Sequence, residues 1–106
     1  MTMRTTALVA LMLALPAGAA AEPTTARQAE LVHLLKQDCG SCHGMTLKGG
    51  LGPALTPDRM GAFPVEVLQA VILDGRPGTP MPPWRGILKD DEAAWLAGRL
   101  RQGGGP

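Results

Sequence analysis

The chain is poor in aromatic rings and in sulfur pairs. Its 106 residues include one Phe, two Trp and no Tyr, so a core of ordinary aromatic bulk is excluded. Only two Cys are present, Cys39 and Cys42, too few for a disulfide-stapled framework. A zinc site on that pair would need two further thiolates or imidazoles. There is no third Cys, and beyond His43 the only imidazole is His33. No basic run and no aromatic stacking surface occur, which argues against nucleic acid as a partner. No segment alternates apolar and polar residues as a half-buried strand does. The βαβ setting of a thioredoxin-type dithiol is therefore missing as well.

What is present is concentrated in Cys39-Gly40-Ser41-Cys42-His43. A Cys-x-x-Cys-His run is the attachment site of a c-type haem. Two thiols spaced this way add to the two vinyl groups of one porphyrin. The adjacent imidazole, His43, then stands beneath the iron as its proximal ligand. A buried porphyrin would also supply the apolar bulk that the side chains lack.

The first 21 residues read as a secretory signal peptide. Arg4 is the positive start, Thr5 to Leu15 the apolar stretch, and Ala19-Ala20-Ala21 the small-residue cleavage signal. The apolar stretch falls short of the roughly 20 residues of a membrane span, so no stable insertion is expected after cleavage. The mature chain would be residues 22–106, one small monohaem domain in the periplasm, with 103–106 as a flexible tail. Without Arg4, the nine remaining Lys and Arg balance the nine Asp and Glu. Net charge therefore points to no partner class.

Three helices are expected, with no sheet. Arg27 to Gln37 carries a Leu31, Leu34, Leu35 stripe behind a capping region at Pro23-Thr24-Thr25. Pro64 to Leu73 carries Val67, Leu68, Val71 and Ile72 as its buried stripe, with Gly75 where a C-terminal cap belongs. The last helix starts at an Asp90 or Asp91 cap and runs to about Arg101, with Trp95, Leu96 and Leu100 inward. Between these, 44–57 and 75–83 are Gly- and Pro-rich loops.

The second loop holds the favoured sixth ligand. Gly78-Thr79-Pro80-Met81-Pro82-Pro83-Trp84 stiffens one thioether, Met81, between prolines. A thioether opposite an imidazole raises the haem potential, which suits an electron carrier. Met45 lies too close to His43 to reach the opposite face. Met60, a core-packing candidate, and His33 are the rivals. In the first loop, the Pro53 carbonyl is placed to accept the free N–H of the His43 imidazole, as bound imidazoles require.

With these residues in view, residues 22–106 resemble the class I cytochromes c from end to end. The resemblance implies an all-α fold of three to four helices wrapped around one covalently bound haem c, without a sheet. It implies His43 and Met81 as axial iron ligands, Pro53 as imidazole acceptor, and Trp95 packing the last helix on the first. One departure is visible: Leu31 stands where that family places a small residue at the helix crossing, which suits a wider or a shifted crossing. The runs Cys-His-Gly-Met-Thr-Leu-Lys-Gly-Gly-Leu-Gly-Pro-Ala-Leu-Thr-Pro and Ile-Leu-Asp-Gly-Arg-Pro-Gly-Thr-Pro-Met-Pro-Pro-Trp are similar to the NirC-type monohaem cytochromes of denitrification gene clusters.

That likeness implies a non-enzymatic carrier of single electrons among haem redox proteins, with cytochrome cd nitrite reductase as partner. A redox role in haem d maturation is the alternative. A small haem peroxidase or nitric oxide sensor is the alternative of another class. Lys48, Arg76 and Arg85 are candidates for the rim of an exposed haem edge. Arg76 and Trp84 are alternatively candidates for contacts to the haem propionates.

Overall fold

The computed structural model describes Met1 and residues 22–104. The signal-peptide reading, which rests on residues 2–21, and the last two tail residues, Gly105 and Pro106, thus lie outside the described residues. Within them the chain is helical, with no strand.

Helix α1 spans Thr25–Leu34 and starts on Thr24, whose hydroxyl accepts the Arg27 N–H at 3.2 Å. The sequence places its end near Gln37, but the rod continues. Leu35–Cys39 forms a π-helical turn, in which the Gly40 N–H donates to the Leu35 carbonyl, and α2 comes next over Gly40–His43. No residue from Asp38 to Cys42 breaks a helix outright, and the Ser41 hydroxyl bonds the Asp38 carbonyl at 2.7 Å. The rod stops at Gly44, whose φ of 92° only glycine adopts readily. A π-turn adds one residue to the turn and so re-aims the helix beyond it, a device frequent at functional sites. The helix re-aimed here is α2, which carries Cys42 and His43.

A short helix, α3 (Pro57–Met60), was not expected; Pro57 stands at its first position and Met60 is buried in the core. Helix α4 spans Val65–Asp74 behind Pro64, and Gly75 (φ 67°) ends it as anticipated. Its inner face differs from the expected stripe. Leu68 and Leu73 are buried, Val71 and Ile72 are half-buried, and Val67 is 45% exposed. Leu68 and Leu73 face the core, which turns Val67 away from it.

Helix α5 spans Asp90–Arg101. Its cap is Lys89 rather than either Asp, because Glu92 reaches back and accepts the Lys89 N–H at 2.9 Å. Gly103 (φ 80°) and the Gly104 N–H, donated to the Arg99 carbonyl at 2.9 Å, close its end.

The core is leucine-built: Leu31, Leu35, Leu47, Leu68, Leu73, Leu88, Leu96 and Leu100, with Met60, Ala93 and Ala97. Each buried leucine contributes about 1.5–3 kcal/mol. Trp84 and Trp95 pack at its margin, half-buried. Helix α5 lies closest to α4, and the fully buried Ala93 and Ala97 suit that closeness. Helix α1 is tied to α5 by Arg27, which reaches across to pair with Glu92, and its Leu31 is fully buried.

Candidate functional site

The site is assembled where α2 ends and the glycine loop turns back on it. The last carbonyls of a helix lack partners within it. Here the loop supplies them: the Gly52 N–H donates to the Cys42 carbonyl and the Gly49 N–H to the His43 carbonyl, both at 2.8 Å. Close approach of backbone to backbone explains the glycines. A Cβ on Gly50 would sit 2.7 Å from the Cys42 carbonyl oxygen. The loop closes on itself through the Leu55 N–H to the Leu47 carbonyl at 2.8 Å. Leu47 is buried with φ 59°, a left-handed conformation unusual for a branched residue, and nothing in the sequence signalled it.

This wrapping holds the His43 imidazole on two sides. Its Nδ1 lies 2.7 Å from the Pro53 carbonyl oxygen. A carbonyl only accepts, so Nδ1 carries the proton and donates. Nε2 then has its lone pair free for a metal. On the other side Gly52 leaves just enough room: a Cβ there would lie 2.9 Å from both Cε1 and Nδ1 of the ring.

The thiols differ. Cys39 is half-buried and Cys42 exposed. Burial first, then the Asp38 carboxylate, pushes the Cys39 thiol up to about 11, which disfavours the thiolate of an unreacted Cys39.

Met81 is half-buried in the second loop. Its N–H donates to the Thr79 hydroxyl at 3.3 Å, and its carbonyl accepts from the Arg76 N–H at 3.2 Å. The Arg76 side chain is exposed. Trp84 donates its N–H to the carbonyls of Ile72 and Leu73, at 3.1 and 3.0 Å, so the loop leaves along the end of α4. Arg85, a candidate for the rim, is exposed and paired with Asp74 and Asp90. Lys48 is exposed. Of the rival ligands, Met60 is core and His33 is exposed on α1.

Among the described residues no cluster of three or more His, Cys, Asp or Glu could hold a bare metal ion. The donor set suits a c-type haem better. It offers two thiols separated by two residues, an imidazole whose Nδ1 is held by a carbonyl, and a glycine where any side chain would push that ring away.

Comparison with known proteins agrees. A family profile described as cytochrome C oxidase, cbb3-type, subunit III matches residues 26–98. The chain is 58% identical to a cytochrome c55X of Pseudomonas aeruginosa, over 84% of this chain and 75% of that protein. The chain belongs to the c55X, or NirC-type, family of monohaem c-type cytochromes. A solved c-type cytochrome NirC superposes on this c55X-type chain with a TM-score of 0.75 at 60% identity, covering 76% of this chain and 95% of that one. The dihydro-heme d1 dehydrogenase of Pseudomonas aeruginosa is 38% identical over 90% of this chain, which spans 19% of that larger protein. Membership in the c55X family implies covalent haem c, and makes the protein an electron-carrying cytochrome rather than an enzyme. The peroxidase alternative raised by the sequence is set aside on that ground. No helix among the described residues is long and apolar enough to cross a membrane.

Proposed function

We propose that this protein is an exported periplasmic carrier of single electrons, one haem c joined to Cys39 and Cys42, with His43 and Met81 as the axial iron ligands. The observation that carries the reading is the 2.7 Å contact between His43 Nδ1 and the Pro53 carbonyl, which leaves the Nε2 lone pair free for a metal on the residue that follows Cys42. The haem supplies the one-electron couple; the chain supplies the rigidity around it. Pro53 and Gly52 hold the imidazole, and the proline loop holds the Met81 backbone at both its N–H and its carbonyl. With both axial positions taken by protein, no position is left for substrate. Arg76 and Trp84 are the candidates for the haem propionates.

The process served is nitrite reduction, with cytochrome cd nitrite reductase or another haem redox protein as partner. Redox encounters of this kind are small in area and weak. A second reading is favoured by the likeness to dihydro-heme d1 dehydrogenase: the same site exchanges electrons during haem d maturation.

The ligand assignment is tested with Met81→Ala. The native ferric protein is expected to show the weak charge-transfer band of thioether-ligated haem, and the variant to lose it and bind added cyanide readily. A variant with an unaltered spectrum refutes Met81 as ligand. Deletion strains separate the two roles. Reductase lacking its d-type haem supports maturation; reductase with normal cofactor but slow nitrite reduction supports direct donation.

A further inference from the structure

Residues 76–83 include Pro77, Pro80, Pro82 and Pro83. Half of these residues therefore lack an N–H, and no backbone ladder can fasten the loop to its surroundings. Prolines also make it stiff. A stiff segment that is poorly anchored along its length behaves as a lever: any shift at its base is carried to Met81 near its middle. The position of the Met81 sulfur is then decided where the loop is fastened, at its two ends.

Both ends are fastened to the last turn of α4. The Gly75 N–H bonds the Val71 carbonyl at 2.9 Å, and the Arg85 N–H bonds the Leu73 carbonyl at 3.0 Å. One side-chain contact spans the base itself. Asp74 is the last residue of α4 and Arg85 lies just past the loop. Arg85 Nε donates to Asp74 Oδ1 at 2.8 Å and Nη2 to Oδ2 at 3.1 Å. This is the two-point fork that lends an Arg–carboxylate pair geometric specificity as well as energy. A third contact, Arg85 Nη1 to Asp90 Oδ1 at 3.3 Å, ties the same guanidinium to the start of α5. The loop leaves little slack, since a Cβ on Gly75 would lie 2.7 Å from the Met81 carbonyl oxygen and 2.8 Å from the Pro83 nitrogen.

We propose that Arg85 is a positioning residue for Met81: its two-point pairing with Asp74 clasps the base of the proline loop and so sets how firmly the thioether is held at the iron. The inference rests on the reading of Met81 as axial ligand. Lysine would keep the charge at residue 85 but cannot form the fork. An electron carrier with a loose clasp would still fold and still carry haem, but would exchange its sixth ligand more readily.

The test is displacement of Met81 by imidazole in the ferric holoprotein, followed through the thioether charge-transfer band. Asp74→Asn and Arg85→Ala are each expected to strengthen apparent imidazole binding by about two- to fivefold, the factor an exposed pair of good geometry supplies. Arg85→Lys is expected to fall between these and the native protein. The double variant should match Arg85→Ala, because Asp74→Asn removes nothing further once the guanidinium is gone. A Thr24→Ala control, in the cap of α1, should lower thermal stability without changing imidazole affinity. Unchanged affinity in Asp74→Asn and Arg85→Ala, with the native band present, overturns the proposal alone. A double variant equal to the product of the singles overturns it too. Absence of the band from the native protein overturns the ligand assignment and the proposal together.

Discussion

Gly52→Ala isolates one contact at the centre of the site. Gly52 is not in the left-handed region, so alanine is compatible with its backbone and any effect comes from the added carbon. That carbon would lie 2.9 Å from His43 Cε1 and Nδ1 and 3.4 Å from Cγ. Ordinary carbon contacts are about 3.5–4.0 Å, so one side must retreat by about 0.6–1 Å. The Gly52 backbone is not free to do so. Its N–H is bound to the Cys42 carbonyl at 2.8 Å and its own carbonyl accepts the Gly50 N–H at 3.0 Å. The imidazole yields instead, and its 2.7 Å bond to the Pro53 carbonyl lengthens toward the limit of hydrogen bonding. A bond of that kind contributes about 1 kcal/mol. It makes the imidazole a stronger electron donor, which favours oxidised iron. Its loss should raise the reduction potential, by at most about 40 mV if the whole contribution is differential between the two oxidation states. Equilibrium redox titration of the holoprotein reads the shift. Gly98→Ala is the control: Gly98 lies in α5 with nothing within 4 Å of its added carbon, so stability should hold or rise slightly and the potential should not move. A Gly52→Ala protein with the native potential would refute the view that Gly52 and Pro53 jointly fix the ring.

Glu92→Ala removes the partner of Arg27 and the acceptor for the Lys89 N–H together, and should cost about 1–2 kcal/mol, read as a fall of about 10 °C in a thermal melt. The side-chain bond from Arg27 holds Glu92 below its usual range, and Arg85 does the same for Asp74. Folded values below the unfolded ones mean that the unfolded chain takes up protons first as pH falls. Stability should therefore be full above pH 4.5, the ordinary value for Glu, and drop below it, with a shallower drop in Glu92→Gln. Gly75→Ala puts a side chain at a positive φ that is nearly glycine-only, costing about 1–3 kcal/mol, and against the Met81 and Pro83 backbone; the thioether band should weaken or vanish. Thr24→Ala should lower stability by about 1 kcal/mol through the lost cap and leave the haem spectrum unchanged.

The elements that could be read from the sequence are those written in short-range patterns. The haem motif is five adjacent residues. The α1 stripe, the Gly75 cap and the two glycine- and proline-rich loops each depend on neighbours within a few positions. What could not be read has two origins. One is context without a local signal: the π-turn at Leu35–Cys39 and the left-handed Leu47 depend on how the rod and loop pack, and no residue there announces either. The other is long-range pairing. Glu92 displaced the expected Asp cap because it answers both to the Lys89 N–H and to Arg27, 65 positions earlier. Arg85 was read as a candidate for the rim of the haem edge, and nothing in a linear reading brings it to Asp74. Val67 was placed inside because it is apolar, whereas burial on α4 goes with Leu68 and Leu73.

The two residues proposed as axial ligands are held by different means, and the difference should be visible in experiment. His43 is held by a short local network, in which amides of Gly49 and Gly52 bind the carbonyls of Cys42 and His43 while Pro53 binds the ring. The imidazole comes directly after Cys42, and the thioether bonds would tether it further. Disturbing this side changes how strongly His43 donates, so the potential moves while the ligand stays. Met81 has no covalent tether to the haem. Its place depends on a stiff loop fastened at its base by backbone bonds and one ion-pair clasp. Disturbing that side changes how often the thioether leaves, so ligand exchange responds before the potential does. A carrier built this way keeps its geometry through an electron transfer. Its weak point is the base of the Met81 loop, where an exposed pair also makes ligand retention sensitive to salt.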